Sequence, residues 1–205
     1  MNLYKSTDRF LKNFNILKNK FNRKPSIEEL ASFDHLHYDG VKTVNIAINK
    51  THIDKESIVL DIGSGIGGPA RYIAYKTSAK VFAIELQEDL NDIARKITSI
   101  YKLEKHVKHI EGNILKVELK RNSFSNIVSW LALYHIPDRE LLLKKLFKIL
   151  KNDGFFFTED FFLRTPLSKH DEKLLSDSFQ SNHLVKYDQY LNELKYSGFQ
   201  MIDVL

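Results

Sequence analysis

The chain has 205 residues, 43% hydrophobic and 28% charged, with a formal net charge of +5; that is one domain's length with a substantial core, in the composition range of a soluble globular protein. It contains no cysteine, which excludes disulfides, thiolate zinc sites and cysteine nucleophiles together. No apolar run is long enough to span a membrane and the polar, Lys/Asn-rich start does not read as a signal peptide, so a cytoplasmic location is expected; the lysines are scattered among acids, a solvated surface rather than a nucleic-acid footprint, although an anionic substrate would benefit from the positive field.

Taken in order, Phe10, Leu11, Phe14, Ile16, Leu17 and Phe21 place an approximate helical face on residues 6–21. Ser26-Ile27-Glu28-Glu29 is a capping box, which starts a short helix after Ser26. A cluster of titratable and aromatic side chains follows, Phe33-Asp34-His35-Leu36-His37-Tyr38-Asp39-Gly40, ahead of a helix over 41–50. Asp34, His35 and His37 suit helix capping on a loop as well as a site, and a His-x-His pair without further ligands predicts no metal.

The most informative stretch is 58–74. An apolar run, Ile58 to Ile62, is broken only by Asp61 and ends in Gly63, Gly65, Gly67 and Gly68, with helix-compatible sequence from Pro69 onward. Strand, tight glycine turn and helix start present backbone to a nucleotide-like ligand. The glycines fit both G-x-G-x-x-G and G-x-G-x-G, so spacing alone does not choose between ligands. Two acids do: Asp61, inside the strand end where an isolated carboxylate is costly, and Glu85, which closes the next apolar run, Val81-Phe82-Ala83-Ile84, where it can accept both hydroxyls of a ribose.

Strands are predicted near 57–62, 80–85, 107–112, 126–131, 154–160 and 199–205, and helices near 68–77, 88–102, 139–150, 168–181 and 187–197. This alternation implies an α/β fold, a mostly parallel sheet with helices on both faces. Ligands in such sheets sit beyond the carboxyl ends of the strands. Gly63 to Gly67 after the first strand, Glu85 after the second, Gly112-Asn113-Ile114 after the third and Trp130 to His135 after the fourth fall there.

An acid before the glycines and a second acid ending the next strand resemble the class I S-adenosylmethionine (SAM)-dependent methyltransferase family, from about Asp34 to the last residue, with Leu60 to Ala74 the most specific part. The resemblance implies a Rossmann-like methyltransferase fold, SAM as cofactor, and Asp61, Gly63, Ser64, Gly65, Glu85, Leu86, Asn113, Ile114 and Trp130 as its binding residues. Asn113 stands where the family commonly has an Asp that accepts from the adenine amino group, and Ser125-Asn126 where it usually has Phe-Asp. Asp34-x-x-His37-x-x-Gly40 resembles the lead-in of the sarcosine/dimethylglycine and phosphoethanolamine N-methyltransferases. That implies an N-terminal lid, residues 1–50, over a core of residues 51–205, and a small-molecule amine as methyl acceptor. The segment Trp130 to Asp138 resembles the family's stretch after the fourth strand, which implies His135 as the base that deprotonates the amine, with Tyr38 or His37 assisting.

Trp130, Tyr134, Tyr38, Phe161 and Phe162 are candidate pocket walls, with core packing the plainer reading for Phe161 and Phe162; Arg164 and Arg71 are candidate anion contacts, with surface salt bridges the plainer reading. No Asn-Pro-Pro-Tyr or Asp-Pro-Pro-Tyr run and no paired-glutamate loop is present, which argues against base-modifying and arginine-modifying methyltransferases. Other readings stay open: an oxygen or carbon acceptor of lipid-like character, a non-catalytic SAM-binding protein, and a nicotinamide dehydrogenase. With a sixth strand over 199–205, no residues remain for the seventh, antiparallel strand that the family inserts between the fifth and sixth. A truncated form, or an edge completed by the N-terminal segment or by a second subunit in a homodimer, would account for this.

Overall fold

Ile58–Ile62 (β1), Lys80–Glu85 (β2), Val107–Glu111 (β3), Phe124–Trp130 (β4) and Leu150–Glu159 (β5) form one sheet in the order β3-β2-β1-β4-β5, and every pairing is parallel. This is a computed structural model, and it describes residues 7–179, 183–201, 203 and 204. β1 lies at the centre, with Asp61 paired to Ala83 on one side and Val128 on the other. A strand enclosed in this way is buried on both faces, which is why it reads as a nearly continuous apolar run.

The helices of the core are Gly68–Thr77 (α4), Glu88–Ile100 (α5), Arg139–Ile149 (α6), Lys169–Phe179 (α7) and Tyr187–Tyr196 (α8), preceded by Asp8–Phe21 (α1), Ile27–Asp34 (α2) and Val41–Lys50 (α3). Strand alternation divides the apolar side chains between two faces. Val59, Val81 and Val128 pack with Val44 and Ala47 of α3 and Ile73 of α4. Leu60, Ile62, Ile84 and Ile127 pack with Leu142 and Leu146 of α6. A third cluster joins Phe10 and Phe14 of α1 and Leu30 of α2 to Leu90, Ile93 and Ile97 of α5. The predicted capping box is present: Ser26 Oγ accepts from Glu29 N–H, and the Glu29 carboxylate accepts from Ser26 N–H at 2.7 Å.

Three boundaries differ from the sequence reading. β4 opens at Phe124, two residues before Asn126. β5 follows α6 directly at Leu150 rather than at 154, with a register irregularity between Phe124 and Asn126. The predicted strand over 199–205 is not formed among the described residues there. Phe199 instead lays its ring against Phe147 of α6 and Phe156 of β5, with centroids 5.4 Å away in both cases. Phe199 thus serves packing rather than strand pairing. No helix among the described residues is long and apolar enough to cross a membrane.

Candidate active site

The turn after β1 is built by glycine backbone. Gly63, Gly65 and Gly67 have φ of +68°, +53° and +77°, a region that costs glycine little. A Cβ on Gly63 would lie 2.4 Å from the Cβ of Ala132, across the mouth between β1 and β4. The run then changes purpose. A Cβ on Gly67 would meet His109 and Arg71, and one on Gly68 would lie 2.2 Å from the carbonyl oxygen of Asp34. Gly63 and Gly65 therefore shape the loop, whereas Gly67 and Gly68 let α2 and β3 approach α4.

A cavity of about 370 Å³ opens at the carboxyl ends of the central strands, within the usual size range of small-molecule sites. Gly63, Ser64 and Gly65 line it after β1, Glu85 and Leu86 at the end of β2, and Asn113 and Ile114 after β3. Trp130 and His135 line it from β4 and the short helical turn that follows, and His37 with Leu36 from the α2–α3 loop. Asp61 lies wholly buried at the carboxyl end of β1 and is not part of the cavity wall. Tyr38 does not reach the cavity: it is 63% exposed and sets its ring edge-on to Phe161. Leu131, a non-glycine residue at φ +50°, also lines the cavity; such strained backbone concentrates at functional sites.

The Glu85 carboxylate braces this turn. Its Oε2 accepts from Gly65 N–H and its Oε1 from Gln87 N–H, both at 2.9 Å. Burial pushes its pKa up, against the pull of those N–H groups. Both Asp61 oxygens are buried without a hydrogen-bond partner, as are Ser64 Oγ and Trp130 Nε1. Burial, then the neighbouring Glu85, push the Asp61 pKa up to about 7; the Trp130 indole N–H, short of hydrogen-bonding geometry, draws it down. Asn113 Oδ1 accepts from Leu115 N–H at 2.9 Å, so the end of this amide that would replace an Asp is already engaged in a turn.

Other residues read from the sequence take structural places. Arg71 is fully buried rather than on the surface, and its Nη2 donates to Asp34 Oδ2 at 2.8 Å. Asn126 is buried and donates to the carbonyl of Thr51 at 2.7 Å, tying β4 to the end of α3. Phe161 packs on Tyr134, Phe162 is 41% exposed beside Tyr187, and Arg164 is exposed. One residue escapes sequence reading: Glu159 ends β5, beside Trp130 in register, and its carboxylate meets His37 Nδ1 at 3.2 Å and accepts from Tyr38 N–H at 2.9 Å. The signal was available, an acid closing an apolar strand, as at Glu85.

This strand order, the glycine turn after β1 and the acid closing β2 define the class I SAM-dependent methyltransferase fold. Residues 60–158 match the family model described as a methyltransferase domain. The chain is 28% identical over 123 residues to the sterol 24-C-methyltransferase of Saccharomyces cerevisiae, covering 60% of this chain and 31% of that protein. It is 32% identical over 105 residues to the sarcosine/dimethylglycine N-methyltransferase of Halorhodospira halochloris, covering 51% and 38%. The fold superposes on Haemonchus contortus phosphoethanolamine N-methyltransferase 2 in complex with phosphomonomethylethanolamine and S-adenosylhomocysteine, with a TM-score of 0.76 at 21% identity, over 97% of this chain and 43% of that one. The chain spans 29–40% of the length of the curated relatives it matches.

Proposed function

We propose that this chain is the catalytic core of a SAM-dependent methyltransferase acting on a small polar acceptor, an amine nitrogen of the sarcosine, dimethylglycine or phosphoethanolamine type. The observation that carries this reading is the set of orphaned polar atoms by the glycine turn: both Asp61 oxygens, Ser64 Oγ and Trp130 Nε1. Buried polar groups without partners cost free energy, so a polar ligand with cationic character suits them. SAM, when bound, supplies a methyl group on a cationic sulfonium.

In this reading Gly63, Ser64 and Gly65 offer backbone and hydroxyl contacts, and Asp61 provides negative charge beneath them. Glu85 keeps lone pairs for ribose hydroxyls beside those it gives to Gly65 and Gln87. The Asn113 amide, its oxygen engaged, donates to the adenine ring from its NH2 end, while Leu86 and Ile114 flank the ring. Residues 1–50 act as a lid over the core of residues 51–205, because Leu36 and His37 close one side of the cavity. A lid excludes water and holds the reactants in line. His37 and His135, both lining the cavity, are the candidates to take a proton from the acceptor. A homodimer through the outer edge of β5, with which no described strand pairs, belongs to the same proposal.

The test is formation of S-adenosylhomocysteine from SAM in the presence of sarcosine, dimethylglycine, phosphoethanolamine or a sterol. Amine-dependent turnover is the expected result. A second reading, a carbon acceptor, is supported by the sterol methyltransferase relatives and by apolar wall residues such as Leu36, Ile136 and Pro137; sterol-dependent turnover alone would select it.

A further inference from the structure

The loop between α2 and α3 holds an imidazole more firmly than wall packing requires. The His37 side chain is 1% exposed. Its ring stacks on Trp130 at 4.9 Å and on His35 at 5.2 Å, each at an interplanar angle of 29°. Its Nδ1 lies 3.2 Å from Glu159 Oε2, and the other oxygen of that carboxylate accepts the N–H of the next residue, Tyr38. Nε2, on the opposite edge of the ring, is buried without a partner, and His37 lines the cavity. An ionised carboxylate only accepts hydrogen bonds, so Glu159 selects the tautomer protonated at Nδ1 and leaves the Nε2 lone pair unused. Two stacked rings hold the imidazole plane.

We infer that His37 is the base that takes the acceptor's proton, and that Glu159 is its positioning residue, fixing its tautomer and orientation. The inference rests on the methyltransferase reading above. The acceptor nitrogen gives its proton to Nε2, and its freed lone pair forms the bond to the methyl carbon. The carbon–sulfur bond breaks with its electron pair left on sulfur. The resulting imidazolium is held against Glu159 until the proton passes to solvent. The pair joins the lid to β5, so the base is in place only when this loop is seated.

Two readouts test this without depending on turnover. Nitrogen-resolved NMR of the His37 ring in the protein without ligand should show Nδ1 protonated and Nε2 bare, and Glu159→Gln should shift the population toward the Nε2–H tautomer. Calorimetry should find SAM affinity within about threefold of wild type in both Glu159→Gln and His37→Gln. Turnover with sarcosine or phosphoethanolamine should then fall about 10²-fold or more in His37→Gln and about tenfold or more in Glu159→Gln. A wild-type ring protonated at Nε2 overturns the inference. So does turnover that survives His37→Gln and is lost in His135→Gln. A folded wild type that binds no SAM defeats the methyltransferase reading itself, and one that binds SAM but methylates neither amine removes the acceptor class on which this base acts.

Discussion

Asp34, the last residue of α2, accepts a hydrogen bond from Arg71 of α4 at 2.8 Å, with both side chains removed from solvent. Arg71 also donates to the carbonyl of Ala94 and to Thr98 Oγ1, each at 3.3 Å, so one guanidinium joins α2, α4 and α5. Burial pushes the Asp34 pKa up to about 6 against the pull of Arg71. Removing one partner of such a pair strands the other charge and costs about 3–5 kcal/mol. Asp34→Ala and Arg71→Met should each show this loss in urea denaturation. The double variant should lose less than the sum of the two, the signature of direct coupling.

The glycine run predicts a separation of effects. Gly63→Ala puts a Cβ 2.4 Å from Ala132 at φ +68°, at the cavity mouth. It should destabilise by about 1–3 kcal/mol and weaken SAM binding at least tenfold in protein that is still folded. Gly68→Ala puts a Cβ 2.2 Å from the Asp34 carbonyl oxygen, where α2 meets α4; Gly68 itself does not line the cavity, although Asp34 does. Its cost should appear mainly as a lower denaturation midpoint, with SAM affinity below that midpoint reduced less than in Gly63→Ala.

Asp61 gives a pH dependence of definite sign. Its folded pKa, about 7, lies above the ordinary aspartate value, so protonation favours the folded state. This contribution is fully present below about pH 4 and is lost as pH rises through about 7. The thermal midpoint of the free protein should therefore decline between about pH 5 and pH 8 more steeply in wild type than in Asp61→Asn. A cationic ligand beside Asp61 favours its ionised form, so SAM affinity should rise from about pH 6 to pH 7.5 and stay flat in the variant.

Glu85→Gln keeps the side-chain shape but replaces one carboxylate oxygen with an NH2 group, facing N–H donors at Gly65 and Gln87. A donor opposed to a donor costs about 1–3 kcal/mol. SAM binding should weaken tenfold to a hundredfold, as read by calorimetry, with the helices unchanged by circular dichroism.

The strand–glycine–helix run at 58–74 was legible because its signals are local: apolar periodicity, backbone freedom at Gly63, and an acid at a strand end. What was not legible depends on contacts distant in sequence. Arg71 reads as a surface cation until Asp34, 37 positions away, is seen to meet it. Glu159 gains its role from His37, 122 positions away. Phe199 has the pattern of a strand, yet its partners are the rings of Phe147 and Phe156. Tyr38 sits one residue from a cavity histidine, and adjacent side chains on that loop diverge, one inward and one to solvent.

Calorimetric titration of SAM, and separately of S-adenosylhomocysteine, into the purified protein tests the methyltransferase reading most directly. Saturable binding of both is expected at about micromolar dissociation constants, weakened by Glu85→Gln and Gly63→Ala. Absence of binding by either compound, in protein shown to be folded by a cooperative unfolding transition, would contradict a SAM-dependent methyltransferase.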